Sequence, residues 1–129
     1  MKKPKRKPKR DYKAEQEQRK LLFLQHLKEL KFEKVVTEYK FCETRKWLFD
    51  FCMPDHALAV EIEGAIWVRG RHTRGKGFLG DMEKYNYATL MGWKVLRYSP
   101  EQIDSGYAQN ELRYWMIEPE RDPRTEDAD

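Results

Sequence analysis

Asp50, Glu61 and Glu63 are spaced so that a β-hairpin would carry all three carboxylates on one face. Strand side chains alternate between faces. On a strand over 47–53, Trp47, Phe49 and Phe51 share one face, and Leu48, Asp50 and Cys52 the other. On a strand over 57–63, Leu58, Val60 and Ile62 share a face, opposite Ala57, Ala59, Glu61 and Glu63. Pro54-Asp55-His56 supplies the turn between them. The apolar faces build a core, and the faces lined with small residues bring the acids together. Converging half-buried carboxylates are costly unless a cation compensates them. Clustered oxygens are what a hard cation such as Mg²⁺ or Mn²⁺ takes. The competing reading is a solvated strand face. Ala57 and Ala59 weigh against it, because small residues leave room for something to approach.

A basic loop follows close behind Glu63. Between Trp67 and Gly77 it carries Arg69, Arg71, His72, Arg74 and Lys76, with Gly70 and Gly75 among them. Glycine permits close backbone approach, and guanidinium groups clamp phosphates. Beside an acidic cation site, such a loop suits phosphodiester cleavage, with the basic residues holding the nucleic-acid strand. His72 is a candidate general acid/base or phosphate contact. Lys84, on the helix that follows, is a candidate to point an ammonium at the attacking water or the phosphate. Its ordinary reading is a solvated helix lysine. Glu17 falls one turn before Leu21 and Leu24 on the first helix. The stripe predicts that it faces the core, as a fourth carboxylate reaching the metal site. Its ordinary reading is a first-turn acid favoured by the helix dipole.

The elements that must position these groups follow from hydrophobic period. The pattern predicts a helix over 13–31, with Leu21, Leu24, Leu27 and Leu30 as its apolar stripe. Strands follow over 34–41, 47–53 and 57–63, the first two joined by the polar turn 43–46. After the loop 64–77 comes a helix over 78–91, closed by Gly92. A strand over 93–98 ends at Ser99-Pro100, and a last helix covers 101–116. The order is α-β-β-β-α-β-α, an α/β fold with a mixed central sheet flanked by helices.

A chain of 129 residues, 40% hydrophobic and 37% charged, builds one domain with a modest core. It has no apolar run long enough to span a membrane and no apolar segment of signal-peptide type at its N-terminus. Cys42 and Cys52 are expected to be reduced packing residues of a cytoplasmic protein. The net charge of +4 conceals an asymmetry. Residues 1–10 carry seven positive charges and two prolines, and residues 118–129 carry six acids. The division expected is a disordered basic arm over 1–12, a folded domain over 13–117 and an acidic tail over 118–129. Such an arm binds phosphate backbones without sequence preference; the alternative is a solubility tail or localisation signal.

Several linked segments resemble one known superfamily. They are Glu38-Tyr39-Lys40-Phe41, Arg45-Lys46-Trp47-Leu48-Phe49-Asp50-Phe51, Ala59-Val60-Glu61-Ile62-Glu63-Gly64, the loop from Gly70 to Phe78, Asp81-Met82-Glu83-Lys84-Tyr85-Asn86, and Gly92-Trp93-Lys94-Val95-Leu96-Arg97-Tyr98. With the Asp–(ten residues)–Glu-x-Glu spacing and the element order, they resemble the PD-(D/E)XK, or restriction-endonuclease-like, nucleases. The best match is to small phage-type nucleases related to the very-short-patch-repair endonuclease branch. The resemblance covers about residues 15–105 and leaves out both tails. It implies an αβββαβ core and a Mg²⁺-dependent endodeoxyribonuclease acting on DNA in the cytoplasm, with homodimerisation left open. It implies that Asp50 and Glu61 ligate the metal with the Ile62 carbonyl. At Glu63 the chain departs from the superfamily, which usually has lysine there. Lys84, Lys76 and His72 are then the candidates for the missing cation or proton transfer. Arg69, Arg71, Arg74 and Lys76 are expected to contact phosphates. Two further readings are a non-catalytic DNA-binding module on the same fold and a structure-selective junction or flap nuclease.

Overall fold

The computed structural model describes residues 9–64 and 76–117, without the side chains of residues 76, 78, 116 and 117. The order is α1 (Tyr12–Glu29), β1 (Val36–Lys40), β2 (Leu48–Met53), a 3₁₀ turn (Pro54–His56), β3 (Leu58–Ile62), α2 (Lys76–Leu90), β4 (Lys94–Tyr98), α3 (Pro100–Asp104) and α4 (Tyr107–Leu112). A π-helical turn, Arg113–Ile117, follows α4. Among the described residues no helix is long and apolar enough to cross a membrane. Residues 1–8, 65–75 and 118–129 lie outside the described residues.

The four strands form one sheet in the order β1-β2-β3-β4. β1, β2 and β3 pair antiparallel, and β4 joins β3 in parallel. A parallel neighbour needs a crossover, which α2 supplies. The sheet is therefore mixed, with helices on both faces. On one face Phe51, Met53, Leu58, Val60 and Ile62 pack with Phe23 and Leu27 of α1, Ile103 of α3 and Ala108 and Leu112 of α4. Phe23 and Phe51 meet edge to face at 5.2 Å. Such a pair contributes about 0.5–1.5 kcal/mol beyond the area it buries. On the other face Phe49 and Ala59 pack with Ala88 of α2, flanked by Tyr39, Phe41, Trp93 and Val95.

Local rules account for the helix ends. Asp11 caps α1 by accepting the Ala14 amide at 3.0 Å. Ser99 and Gln102 form a reciprocal capping box on α3, with Pro100 in its first turn. Gly92, with φ +91°, turns the chain out of α2.

Three expectations are corrected. The last helix is not continuous over 101–116, because Gly106 (φ +85°) breaks it into α3 and α4. The stripe of α1 holds through Leu24, Leu27 and Leu30, which pack with Phe23 into the core, but Leu21 is 68% exposed and falls outside it. Leu21 stands two positions from Phe23, roughly 200° around the helix. Phe49 and Phe51 do not share a face: each belongs to a different core. The alternation is reset at Asp50, opposite Glu38, whose φ of +49° lies in the left-handed region.

Candidate active site

β2 and β3 part at Asp50 and Glu61, and the two carboxylates bridge the gap. The ladder pairs Met53, Cys52 and Phe51 with Leu58, Ala59 and Val60 and then stops. Beyond it the Asp50 amide donates to Glu61 Oε2 at 3.3 Å, and the Ile62 amide donates to Asp50 Oδ2 at 2.8 Å. Backbone N–H groups away from water need acceptors. Each side chain replaces a carbonyl that the diverging strand no longer offers.

Glu61 is buried, 6% exposed, and its second oxygen is met from α2. Lys84 and the Tyr85 hydroxyl both donate to Glu61 Oε1, the tyrosine at 3.3 Å. Burial holds the Glu61 carboxyl above the usual carboxylate range; the Asp50 charge pushes the same way and Lys84 pulls against both. Burial also pushes the Tyr85 phenol up, which keeps it a donor. Lys84 is thus drawn to the acid pair, 23 residues from Glu61 along the chain.

Glu63 lies just past β3, anchored by its amide donating to the Tyr98 carbonyl at 2.8 Å. Its carboxylate accepts Arg97 Nε from β4. Arg97 is the parallel partner of Glu61 in the ladder, and its guanidinium lies 4.3 Å over the Tyr85 ring. The row of three acids therefore resolves into a close pair, Asp50 and Glu61, and an ion pair, Glu63 and Arg97. The hairpin pattern alone could not show this, because the arginine arrives on a strand beyond the crossover.

The helix side of Asp50 belongs to α1. Lys20 Nζ stands 3.2 Å from Asp50 Oδ1 and 3.6 Å from Glu38 Oε1. Burial pulls the Lys20 ammonium down, but Asp50 and Glu38 outweigh it and its pKa is raised. A cleft of about 350 Å³ opens beside Asp50, between Lys20 of α1 and Thr37 and Glu38 of β1. Glu17, expected to face the core, is instead exposed, because its position follows the outlying Leu21 and not Phe23 and Leu27; it lines the same cleft. Sequence reasoning missed Lys20. Its signal was the helical line Gln16–Lys20–Leu24, which extends the stripe back from Leu24 as Glu17 does from Leu21.

The Ile62 carbonyl is approached from α1 by Gln16 Nε2 at 3.5 Å. Gln16 is in turn held by Arg19 Nη1 at 2.7 Å, and Arg19 grips both oxygens of Asp104 at 2.8 and 3.0 Å. The network ties α3 and α1 to the strand end.

Asp50, Glu61 and the Ile62 carbonyl are the groups here that could hold a small divalent cation, in exchange for their present partners. They offer two carboxylates of hard oxygen and one carbonyl, and burial disfavours the charge on Glu61 beside Asp50. A cation bound there would relieve that repulsion. Among the described residues no three His, Cys, Asp or Glu side chains converge into a cage. The protein alone would then supply few ligands, as Mg²⁺ sites that retain water often do.

Arg69, Arg71, His72 and Arg74 lie outside the described residues, as does the Lys76 side chain, although its backbone opens α2. Cys42 and Cys52 are buried free thiols. No family model, curated protein or solved structure matches the chain.

Proposed function

We propose that the protein is a divalent-cation-dependent endodeoxyribonuclease built on a PD-(D/E)XK-like αβββαβ core. The observation that carries this reading is the meeting of Asp50, Glu61 and Lys84 where two antiparallel strands part. Mg²⁺ or Mn²⁺, held by Asp50, Glu61 and the Ile62 carbonyl, would supply charge neutralisation at a scissile phosphodiester and a water of lowered pKa. The chain's own residues do the rest. Lys84 brings the positive charge that the strand lacks at Glu63, and directs it at the phosphate or the attacking water. Tyr85 fixes the Glu61 carboxylate in place. Gln16 orients the Ile62 carbonyl, with Arg19 and Asp104 behind it. Arg69, Arg71, Arg74 and Lys76, with the basic arm, hold the DNA backbone, and His72 is a further proton donor or phosphate contact.

The test is incubation with supercoiled, nicked, branched and single-stranded DNA, with Mg²⁺, with Mn²⁺ and with EDTA. Cation-dependent cleavage that Asp50→Ala and Glu61→Ala both abolish is expected. Cleavage by either variant at the wild-type rate overturns the assignment. Preference for the branched substrate would narrow the reading to a junction or flap nuclease.

One observation favours a second reading. Each carboxylate already has an ammonium partner, Lys20 for Asp50 and Lys84 for Glu61. In a non-catalytic DNA-binding module these would be structural ion pairs. DNA binding without cleavage of any substrate, in any cation, selects that reading.

A further inference from the structure

We infer that Arg97 is a phosphate-binding arm of this site, aimed by Glu63 and Tyr85, which takes a phosphodiester oxygen of the nucleic-acid strand. The inference rests on the nuclease reading above and adds a binding residue outside the basic loop. The ladder sets Arg97 directly beside Glu61, and register partners on neighbouring strands share a face. Its guanidinium is fixed on two sides. Nε donates to Glu63 Oε1, and Cζ lies 4.3 Å over the Tyr85 ring, whose hydroxyl donates to Glu61. The Nη end is left over. The guanidinium has five N–H donors, and only Nε–H makes a hydrogen bond among the described residues. The side chain is 45% exposed, which leaves an anion access to it.

A fork held at its base and open at its tip is prepared for an anion, because the entropy of ordering the side chain is already lost before binding. Charge-assisted bonds from two adjacent N–H groups suit a phosphate. Lys84 differs on both counts: its side chain is 16% exposed and its ammonium is engaged by Glu61. The two cations divide the work. Lys84, paired with Glu61, serves the reacting centre, and Arg97 reaches outward from the same face to the flanking backbone.

The rival is an ordinary cross-strand ion pair, in which Arg97 serves only to neutralise Glu63. A double variant separates the two, since Arg97→Met with Glu63→Gln keeps the net charge and leaves no stranded acid. Affinity for a short DNA duplex is measured against salt concentration, with Ca²⁺ in place of Mg²⁺, and thermal melting checks the fold. The expected result is that both Arg97→Met and the double variant bind roughly tenfold more weakly, with a log–log salt slope shallower by about 0.9, one phosphate contact. A double variant with wild-type affinity and slope overturns the inference. Where Arg97→Met melts early, Arg97→Lys decides, since it keeps the charge but not the fork. Weaker binding by a folded Arg97→Lys supports the arm, and wild-type binding overturns it. A wild-type protein that binds no DNA overturns the nuclease reading, and the arm with it. DNA-binding wild type with an unaffected double variant removes the arm alone.

Discussion

The Asp50 carboxylate accepts the Ile62 amide at 2.8 Å, so the acid proposed to hold a cation also closes the sheet where β2 and β3 part. The proposed function and the stability of the fold are therefore coupled at this residue. Asp50→Ala strands the amide without an acceptor, which typically costs about 1–3 kcal/mol. Asp50→Asn keeps a carbonyl oxygen for the same amide and removes the charge. Both variants should lose cation-dependent cleavage, and only the alanine should lose most of that stability. Urea unfolding compares them, and equal stabilities would show that the bond to Ile62 contributes little.

Lys84 is held by a buried acid, and its removal has two separable consequences. Lys84→Met should lower kcat by 10²-fold or more, on the order of the general acid–base range, with DNA affinity little changed. It also leaves Glu61 buried without its ammonium, so the melting temperature should fall. Adding Glu61→Gln to that variant should restore melting but not cleavage. Normal cutting by Lys84→Met, together with inactive His72→Ala or Lys76→Ala, would place the catalytic cation in the loop.

Lys20 pairs with Asp50 Oδ1, an oxygen that the proposed divalent cation would also take. Glu38 Oε1, 3.6 Å from the ammonium, offers Lys20 a second resting place. Lys20→Met removes the competitor and should tighten Mn²⁺ binding roughly tenfold, the equivalent of about 1.4 kcal/mol. Calorimetric titration of the protein without DNA measures it. Unchanged or weaker binding would mean that the lysine supports the cation site instead of opposing it.

Cys52 gives the fold an alkaline limit. Burial pushes its thiol up to about 11, from an ordinary value of 9.0. A raised folded pKa means that the native state holds the proton more tightly than the unfolded chain. The associated stability is fully present below pH 9 and is lost as pH rises through 11. Cys52→Ala lacks this dependence. The stability gap between the two proteins should therefore shift against wild type across that window in denaturant titrations. A gap that does not change with pH would refute the assignment. In native protein below pH 9, Cys52 should also resist thiol reagents that modify it after unfolding.

Much of the architecture was legible because it is written in local rules. The turn at Pro54-Asp55-His56, the stop at Gly92 and the start at Ser99-Pro100 each depend on the conformational limits of a few adjacent residues. The alternation of Leu58, Val60 and Ile62 against Ala59 and Glu61 survived intact, since β3 lies between two covered faces. The same rule failed on β2, where Phe49 and Phe51 part company. The reset falls opposite Glu38, whose left-handed conformation its residue type does not announce.

By itself, the sequence determined that Asp50 and Glu61 would sit on adjacent antiparallel strands, because a short turn and a period of two leave the hairpin little choice. It did not determine their partners. Lys20 comes from a helix packed across the sheet, and Lys84 and Arg97 come from beyond the crossover. Arg97 lies 34 residues from the Glu63 it binds. Only the tertiary structure decided that Glu63 would pair with that arginine while Glu61 took the lysine. The parallel register of β4 against β3 and the packing of α2 set those distances, and neither leaves a periodic mark along the chain.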